Sequence, residues 1–299
     1  MEKLLKNCRL CPRKCGADRT AGKLGFCGAD DRIKIARAAL HFWEEPCISG
    51  TSGSGTVFFS HCTMKCVYCQ NYSISTENKG KYVTKEELAD IFLDLQNQGA
   101  NNINLVTPTH YVPKIIQALD IARKKGLFLP IIYNTSGYET VETIKMLEGY
   151  VDIYLPDFKY WEGSLAIKYS SAPDYAETVK AALGEMFRQT GKCVFCENGI
   201  IKKGVIVRHL MLPGGFSDSK KIIEYLFREY GNGIFISIMS QYTPLATIPD
   251  IFPELKKPIA MSDYDKLLDC AIELGVENAF IQEGESQSES FIPEFYNED

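Results

Sequence analysis

The sequence predicts an α/β fold with a parallel sheet, either an α/β barrel or an open doubly wound sheet. From about residue 51 onward, short apolar runs alternate with stretches whose apolar residues recur at helical spacing. The strand segments are continuously apolar, as expected for a parallel sheet that helices cover on both faces. In either architecture ligands bind at the carboxyl ends of the strands, so residues that follow each strand are the first candidates for function.

The elements follow one another in a regular order. Strands are predicted over residues 57–60, 102–106, 129–133, 151–155, 205–210, 234–239 and 279–282. Thr84 and Glu87 have the spacing of a capping box and start the first long helix. Pro113 and Gly126 suit the start and the end of the second helix. Further helices are predicted over residues 140–147, 175–189, 219–229 and 262–274.

Residues 1–50 differ from the rest and are predicted to form a small cysteine-rich segment that precedes a domain over 51–299. Cys8, Cys11, Cys15 and Cys27 form a four-thiolate set in which glycines allow tight turns. Such a set suits a closed zinc site or an auxiliary [4Fe-4S] cluster, and the spacing does not decide between them. Unligated thiols are the third alternative.

Composition narrows the class of protein. The chain has 299 residues, of which 45% are hydrophobic and 24% charged, as in an ordinary globular protein. Its net charge of -5 disfavours nucleic acid as the main partner. No apolar run approaches the roughly 20 residues of a membrane span, and the start of the chain lacks a secretory signal. We therefore expect a cytoplasmic protein without a membrane partner, whose 11 cysteines are not paired in disulfides.

Three cysteines follow the first predicted strand with C-x3-C-x2-C spacing: Cys62, Cys66 and Cys69. A [4Fe-4S] cube normally takes four thiolates, so three leave one iron open for a ligand. The alternative is a zinc site that recruits His61 as a further ligand.

This arrangement resembles the radical S-adenosylmethionine (radical SAM) superfamily, in which an aromatic residue, here Tyr68, precedes the last cysteine. The resemblance implies a partial (β/α)6 TIM-like barrel with the cysteine-rich segment in front of it. It also implies that the open iron binds S-adenosylmethionine, which is cleaved by one-electron reduction to methionine and a 5'-deoxyadenosyl radical. That radical then takes a hydrogen atom from the substrate, and a flavodoxin or ferredoxin is the expected electron donor.

A closer resemblance connects the chain with homologues of pyruvate formate-lyase activating enzyme, in particular the uncharacterised PflX-type group. The segments that carry it include VTPTH, NTSGY, LPDFKY, VRHLMLPGG and SIMSQYTP, in that order. By this resemblance the S-adenosylmethionine site includes Tyr68, Thr107, Thr109, Asn134, Ser136, Asp157, Lys159 and His209. The glycine-glycine-glutamate segment of the family is absent, and Thr107-Pro-Thr-His110 stands in its place.

Several residues keep two interpretations. Asp157 and Lys159 suit the charged groups of S-adenosylmethionine but also a surface ion pair, and Asn134 with Ser136 also suits a turn. A lone histidine on a strand, such as His209, is more often a satisfied core residue. Cys193 and Cys196 have three interpretations: two ligands of a site that other thiols complete, a redox pair, or simple surface thiols. Two sets could face substrate or be ordinary polar surface: His41, Glu44 and Glu45, and Gln241 with Tyr242.

Three functions are consistent with these patterns. The first is an activating enzyme that removes a hydrogen atom from a glycine of a partner enzyme, which needs a wide barrel mouth. The second is radical modification of a small molecule or peptide, which predicts a narrower mouth capped by residues 1–50. The third is a non-enzymatic zinc-binding interaction module. The sequence does not identify the substrate.

Overall fold

A computed structural model describes residues 3–281 and 295–296. Its strands are β1 Ile33–His41, β2 Ser54–Phe59, β3 Lys81–Val83, β4 Ile103–Val106, β5 Ile131–Thr135, β6 Ile153–Pro156, β7 Val194–Phe195, β8 Ile201–Leu210, β9 Phe235–Met239 and β10 Ala279–Ile281. Its α-helices are α1 Lys3–Lys6, α2 Pro46–Ser49, α3 Tyr72–Ser75, α4 Lys85–Asn97, α5 Val112–Lys124, α6 Val141–Met146, α7 Gly163–Ser170, α8 Tyr175–Thr190, α9 Phe216–Tyr230 and α10 Met261–Leu274.

The sheet confirms the predicted α/β class and the partial barrel. Its strand order is β10-β9-β8-β6-β5-β4-β2-β1-β3, and every pair from β2 to β10 along this path is parallel. Helices α4, α5, α6, α8, α9 and α10 lie in the connections between these strands. Strands that neighbour each other in sequence therefore also neighbour each other in the sheet, as βαβ units require. The two ends of the order, β3 and β10, are not paired with each other in the described chain.

Strand β1 was not predicted, and it changes the description of residues 1–50. It pairs antiparallel with both β2 and β3. Its first half is buried and its second half is only partly buried, which weakens the apolar signal in the sequence. The predicted boundary near Gly50 therefore falls after a strand that is already part of the sheet.

The best-defined helix start is the one that the sequence predicted. The Thr84 hydroxyl accepts a hydrogen bond from Glu87 N at 3.1 Å, and Thr84 N donates to the Glu87 carboxylate at 2.7 Å. These bonds satisfy two backbone N–H groups that would otherwise lack a partner at the start of the helix. Leu88, Phe92 and Leu95 then follow on one buried face of α4 and pack into the main core.

Tyrosines occupy much of the interior near the carboxyl ends of the strands. Tyr133, Tyr154, Tyr160 and Tyr175 are all completely buried in the main core. Buried hydroxyl groups need partners, so these side chains fix the polar geometry around them. Within residues 3–281, no helix is both long and apolar enough to cross a membrane.

Candidate functional site

The loop after β2 brings Cys62, Cys66 and Cys69 to the carboxyl end of the sheet. Residues on either side of Cys62 take left-handed backbone conformations, with φ of 73° at His61 and 52° at Lys65. Such conformations are uncommon for residues other than glycine and cluster at functional loops. The main-chain N–H of Val67 donates to Tyr169 O at 2.9 Å, so the loop is anchored on α7.

Each of the three sulfur atoms accepts a hydrogen bond from a different donor. Cys62 Sγ lies 3.3 Å from Met64 N, Cys66 Sγ 3.0 Å from the Ser170 hydroxyl, and Cys69 Sγ 3.4 Å from the Ser75 hydroxyl. Donors of this kind stabilise thiolates that ligate a metal and tune the potential of an iron–sulfur cluster. The set of three thiols, each with its own donor, therefore fits a cluster with one open iron.

A short hydrogen-bonded chain continues from Cys66 to the aromatic residue of the motif. The Ser170 hydroxyl lies 2.7 Å from the Tyr160 hydroxyl, which in turn lies 2.7 Å from the Tyr68 hydroxyl. Burial, together with the neighbouring Cys66 and Cys62, raises the pKa of the Cys69 thiol to about 12. A thiol in this environment stays protonated until a metal replaces its proton.

A cavity of about 490 Å³ opens beside these cysteines. It is lined by all three of them and by six of the eight residues expected to hold S-adenosylmethionine: Tyr68, Thr107, Asn134, Ser136, Asp157 and Lys159. They come from the ends of β2, β4, β5 and β6, four neighbouring parallel strands. Polar residues far apart in sequence therefore share one cavity because the strands end at one edge of the sheet.

Asp157 and Lys159 form a partly buried ion pair, with Lys159 Nζ 2.6 Å from Asp157 Oδ2. Burial opposes the charge on Lys159, but the Asp157 carboxylate raises the pKa of this amine well above its usual value. The interpretation as an exposed surface pair is wrong, because their side chains are only 19% and 23% exposed and both line the cavity.

The ends of β5 and β6 are held in close contact at this point. The Tyr175 hydroxyl accepts from Lys159 N at 2.9 Å and lies 2.8 Å from Ser136 O and 2.9 Å from Asp157 O. Gly137 has φ of 76°, and a Cβ atom there would lie 2.2 Å from Asp157 O. Only glycine tolerates both conditions, so Gly137 allows Ser136 and Asp157 to face the same cavity.

Thr109 and His209 do not line the cavity. The Thr109 hydroxyl donates to Glu139 Oε1 at 2.5 Å beneath the cysteine-rich segment. His209 is buried with Nδ1 2.7 Å from Phe158 O, and burial lowers the pKa of this imidazole to about 4. His209 thus has the environment of a neutral core histidine.

A largely buried ion-pair cluster contributes to the lining of the cavity. Arg208, on β8, binds the Glu45 carboxylate with two hydrogen bonds of 2.8 and 2.7 Å and also binds Glu44. Glu44 accepts a further hydrogen bond from Asn104 Nδ2 at 2.9 Å. Arg208, Glu44 and His41 all line the cavity. We call Arg208, Glu44 and Glu45 the polar floor. Sequence reasoning named the two carboxylates but missed Arg208, which is inconspicuous among strand residues.

Gln241 and Tyr242 also line the cavity, as the sequence allowed. Tyr242 is 1% exposed and its hydroxyl donates to Leu255 O at 2.5 Å.

Cys193 packs against the small core that contains Cys47, whereas Cys196 Sγ contacts Ile200 O at 3.0 Å. Across residues 3–281, no three His, Cys, Asp or Glu side chains enclose a position for a single metal ion.

A family model matches the part of the chain that carries the three cysteines. The model of the family described as the Radical SAM superfamily matches residues 56–182, which include β2, the three cysteines and Asp157. Among solved structures, a radical SAM methyltransferase from Sphaerobacter thermophilus superposes with a TM-score of 0.55 at 13% identity, over 87% of this chain and 74% of that one. The family match supports the radical SAM superfamily, and the structural similarity shows the fold. The superfamily implies enzymatic activity, a [4Fe-4S] cluster and S-adenosylmethionine.

Two further proteins are similar to this chain. HydG, a maturase of the [FeFe]-hydrogenase, superposes with a TM-score of 0.52 at 18% identity, over 77% of this chain and 52% of its own. An uncharacterised protein of Methanocaldococcus jannaschii is 28% identical over 283 residues, or 90% of this chain and 75% of that protein. At these identities the structural similarities show the fold, and the relative supplies no activity.

Proposed function

We propose that this chain is a radical SAM enzyme whose cluster is ligated by Cys62, Cys66 and Cys69 and whose 490 Å³ cavity holds S-adenosylmethionine next to the substrate. The observation that carries the proposal is that three thiols and the Asp157–Lys159 pair face one cavity at the carboxyl edge of a partial barrel. When bound, the cluster supplies the electron that cleaves S-adenosylmethionine to methionine and a 5'-deoxyadenosyl radical, which takes hydrogen from the substrate.

The side chains of the cavity are suited to orient this cofactor. Lys159 can bind a carboxylate and Asp157 an ammonium group or a ribose hydroxyl, each by charge-assisted hydrogen bonds. Asn134 and Ser136 add donors and acceptors beside them. Phe58, Met64 and Leu210 supply apolar lining, which excludes water from a reactive radical.

Our proposal for the substrate class rests on the polar floor. An activating enzyme must admit a glycine on a loop of another protein, whereas a modifying enzyme binds a small molecule or peptide. Here His41 and Glu44, both from residues 1–50, line the cavity, and Arg208 fixes Glu44 at its end. This enclosure favours a small molecule or short peptide, with glycine abstraction in a partner enzyme as the second candidate. The electron donor in both cases is proposed to be a flavodoxin or a ferredoxin.

The test is anaerobic purification followed by an assay of 5'-deoxyadenosine release with dithionite. Wild type is compared with the Cys62→Ala/Cys66→Ala/Cys69→Ala variant, which should lose about four irons and all cleavage of S-adenosylmethionine. The matched control is Cys193→Ala/Cys196→Ala/Cys270→Ala, three thiols that do not line the cavity, and it should keep both. A reconstituted wild type that binds no cluster and releases no deoxyadenosine would contradict the proposal.

A further inference from the structure

The four N-terminal cysteines lie in a tightly turned segment that contacts the barrel. The turns between them are closed by hydrogen bonds from Cys8 N to Ala17 O at 3.1 Å, Gly16 N to Cys8 O at 3.0 Å and Lys14 N to Cys11 O at 3.0 Å. Cys8, Cys11 and Cys27 are buried, and Cys15 is exposed. The thiol of Cys27 interacts electrostatically with Cys8 and Cys15, and that of Cys11 with Cys27 and Cys8.

Gly25 lets the chain close over this set. A Cβ atom at Gly25 would lie 2.4 Å from Cys15 Sγ. Any larger residue would displace the thiol, so the backbone of residue 25 forms one wall of the site. Gly28 packs beside the loop of the three cavity cysteines, since an added Cβ would lie in van der Waals contact, 3.4 Å from Nδ1 of His61, one residue before Cys62.

A buried cation lies against the thiols. Arg19 is 2% exposed, and its guanidinium donates to Asp30 O at 2.9 and 2.5 Å, to His110 O at 2.5 Å and to Cys8 Sγ at 3.9 Å. In the described chain Arg19 makes no ion pair with a carboxylate, although a buried charge is costly without an opposite charge. Four metal-bound thiolates supply such a charge, because metal binding removes their protons.

Buried polar atoms without a partner face the same region. They are Tyr111 Oη, His110 Nδ1 and Glu139 Oε2. Tyr111 and His110 interact electrostatically with Arg19, and Glu139 with Cys11. Buried groups of this kind are nearly always hydrogen-bonded in native proteins, so three unpartnered atoms near Arg19, Cys11 and Cys27 favour a ligand in this region.

We propose that Cys8, Cys11, Cys15 and Cys27 bind a second metal centre through four thiolates, with Arg19 as its buried counter-charge. A tetrahedral zinc ion and a [4Fe-4S] cluster both take four thiolates. Two sulfurs on one zinc lie about 4 Å apart, since each Zn–S bond is about 2.3 Å. No single-ion position is already enclosed by three ligands in residues 3–281, so zinc requires the sulfurs to move together, whereas a cluster spaces them more widely.

The experiment uses the Cys62→Ala/Cys66→Ala/Cys69→Ala variant, in which metal at the cavity site is removed. We expect the anaerobically purified variant to keep about four irons with matching sulfide, or about one zinc, per chain. Mössbauer or EPR spectroscopy identifies an iron–sulfur cluster, and metal analysis identifies zinc. Adding Cys8→Ser/Cys11→Ser should remove this metal while the protein remains monodisperse by gel filtration.

The role of Arg19 is tested in the same background. Arg19→Gln should increase the rate or extent of metal loss to a chelator about 10-fold, because outer-shell partners typically contribute that much to affinity. Arg19→Lys keeps the charge and should retain most of the metal. The control is Arg32→Gln, an exposed arginine paired with Asp30, which should behave like its parent.

Two results would overturn the proposal. One is a folded variant with neither iron nor zinc after reconstitution, and the other is equal metal content with and without Cys8→Ser/Cys11→Ser. Because every measurement is made without the three cavity cysteines, the outcome is independent of whether the proposed radical chemistry occurs.

Discussion

Ser170, Glu139 and Arg208 show how single side chains determine the properties of the site. Ser170 is a buried hydroxyl on α7 that contacts Cys66 Sγ at 3.0 Å, from across 104 residues of sequence. Glu139 is a buried carboxyl that receives hydrogen bonds from Thr109 and Thr135. Arg208 holds two carboxylates in the polar floor. Each of them allows a prediction with a direction.

Ser170→Ala should lower the reduction potential of the cluster proposed at Cys62, Cys66 and Cys69. The hydroxyl hydrogen bond to Cys66 Sγ stabilises negative charge on the sulfur, and this charge is greater in the reduced cluster. EPR-monitored redox titration measures the shift. Ser164→Ala, at an exposed position on the same helix, is the control and should leave the potential unchanged. Equal potentials for all three proteins would contradict the prediction.

Glu139→Gln should remove part of the pH dependence of stability. Burial raises the pKa of Glu139 from 4.5 to about 7, although hydrogen bonds from Thr109, Thr135 and Tyr133 oppose this. Between these values the folded state binds one more proton than the unfolded state, so stability falls as pH rises. The difference of about 2.5 pH units corresponds to about 3 kcal/mol. Urea unfolding is measured from pH 5 to 8. As the pH increases, the free energy of unfolding of Glu139→Gln should rise relative to that of wild type.

Arg208→Met should destabilise the fold by about 3–5 kcal/mol, because Glu44 and Glu45 would remain buried without their counter-charge. The loss should be larger at pH 8 than at pH 5, because without Arg208 the burial of Glu45 raises the pKa of this carboxyl and favours its protonated form. Arg208→Met/Glu44→Gln/Glu45→Gln should recover much of the loss. Thermal unfolding at both pH values measures it, and an equal loss in the single and triple variants would contradict the explanation.

At the scale of elements, helix and strand termini decide which residues face the cavity. The carboxyl ends of β4, β5 and β6 carry Thr107, Asn134 with Ser136, and Asp157 with Lys159 into one space. Residues that belong to the same sequence motifs but one or two positions away, such as Thr109 and His209, point elsewhere. A motif match therefore locates the end of a strand. The conformation of the turn that follows decides which side chain of the motif lines the cavity.

The capping box of α4 gives a prediction at this scale. Thr84→Ala should cost about 1 kcal/mol of stability, because the first turn of α4 loses the acceptor for Glu87 N. Thr84→Ser keeps the acceptor and should cost much less. Chemical denaturation, fitted with the same m-value for all proteins, measures the loss of unfolding free energy in both variants. An equal loss in the two variants would mean that the methyl group, and not the capping hydroxyl, is responsible.

At the scale of the whole molecule, much of the fold could be predicted from the sequence. The seven predicted strands correspond to the parallel strands β2, β4, β5, β6, β8, β9 and β10, because buried parallel strands are continuously apolar. Strand β1 was missed because its second half is only partly buried. For the candidate site, six of the eight expected residues share the cavity. Arg208 was missed because its partners lie more than 160 residues away.

Arg13 connects the cysteine-rich segment to the barrel and gives the last prediction. Its guanidinium donates to Thr63 O at 3.1 Å and Ser170 O at 2.9 Å, and lies 3.9 Å from the Phe26 ring. Arg13→Ala should lower the stability of the docked segment by about 2 kcal/mol and accelerate limited proteolysis within residues 1–32. Arg13→Lys should give a stability and a cleavage rate between those of wild type and Arg13→Ala. Cleavage at the wild-type rate in Arg13→Ala would show that the segment is held by other contacts.

The strand order also has a consequence for synthesis of the chain. From β2 to β10 each parallel strand is added beside the strand made before it, so the sheet can grow in one direction as the polypeptide leaves the ribosome, its amino-terminal part folding first. The loop of Cys62, Cys66 and Cys69 emerges early, but the Ser170 hydroxyl that contacts Cys66 is made about a hundred residues later. The three cysteines are therefore synthesised well before their complete environment exists, so a cluster bound by them would be fully enclosed only after α7 has been made.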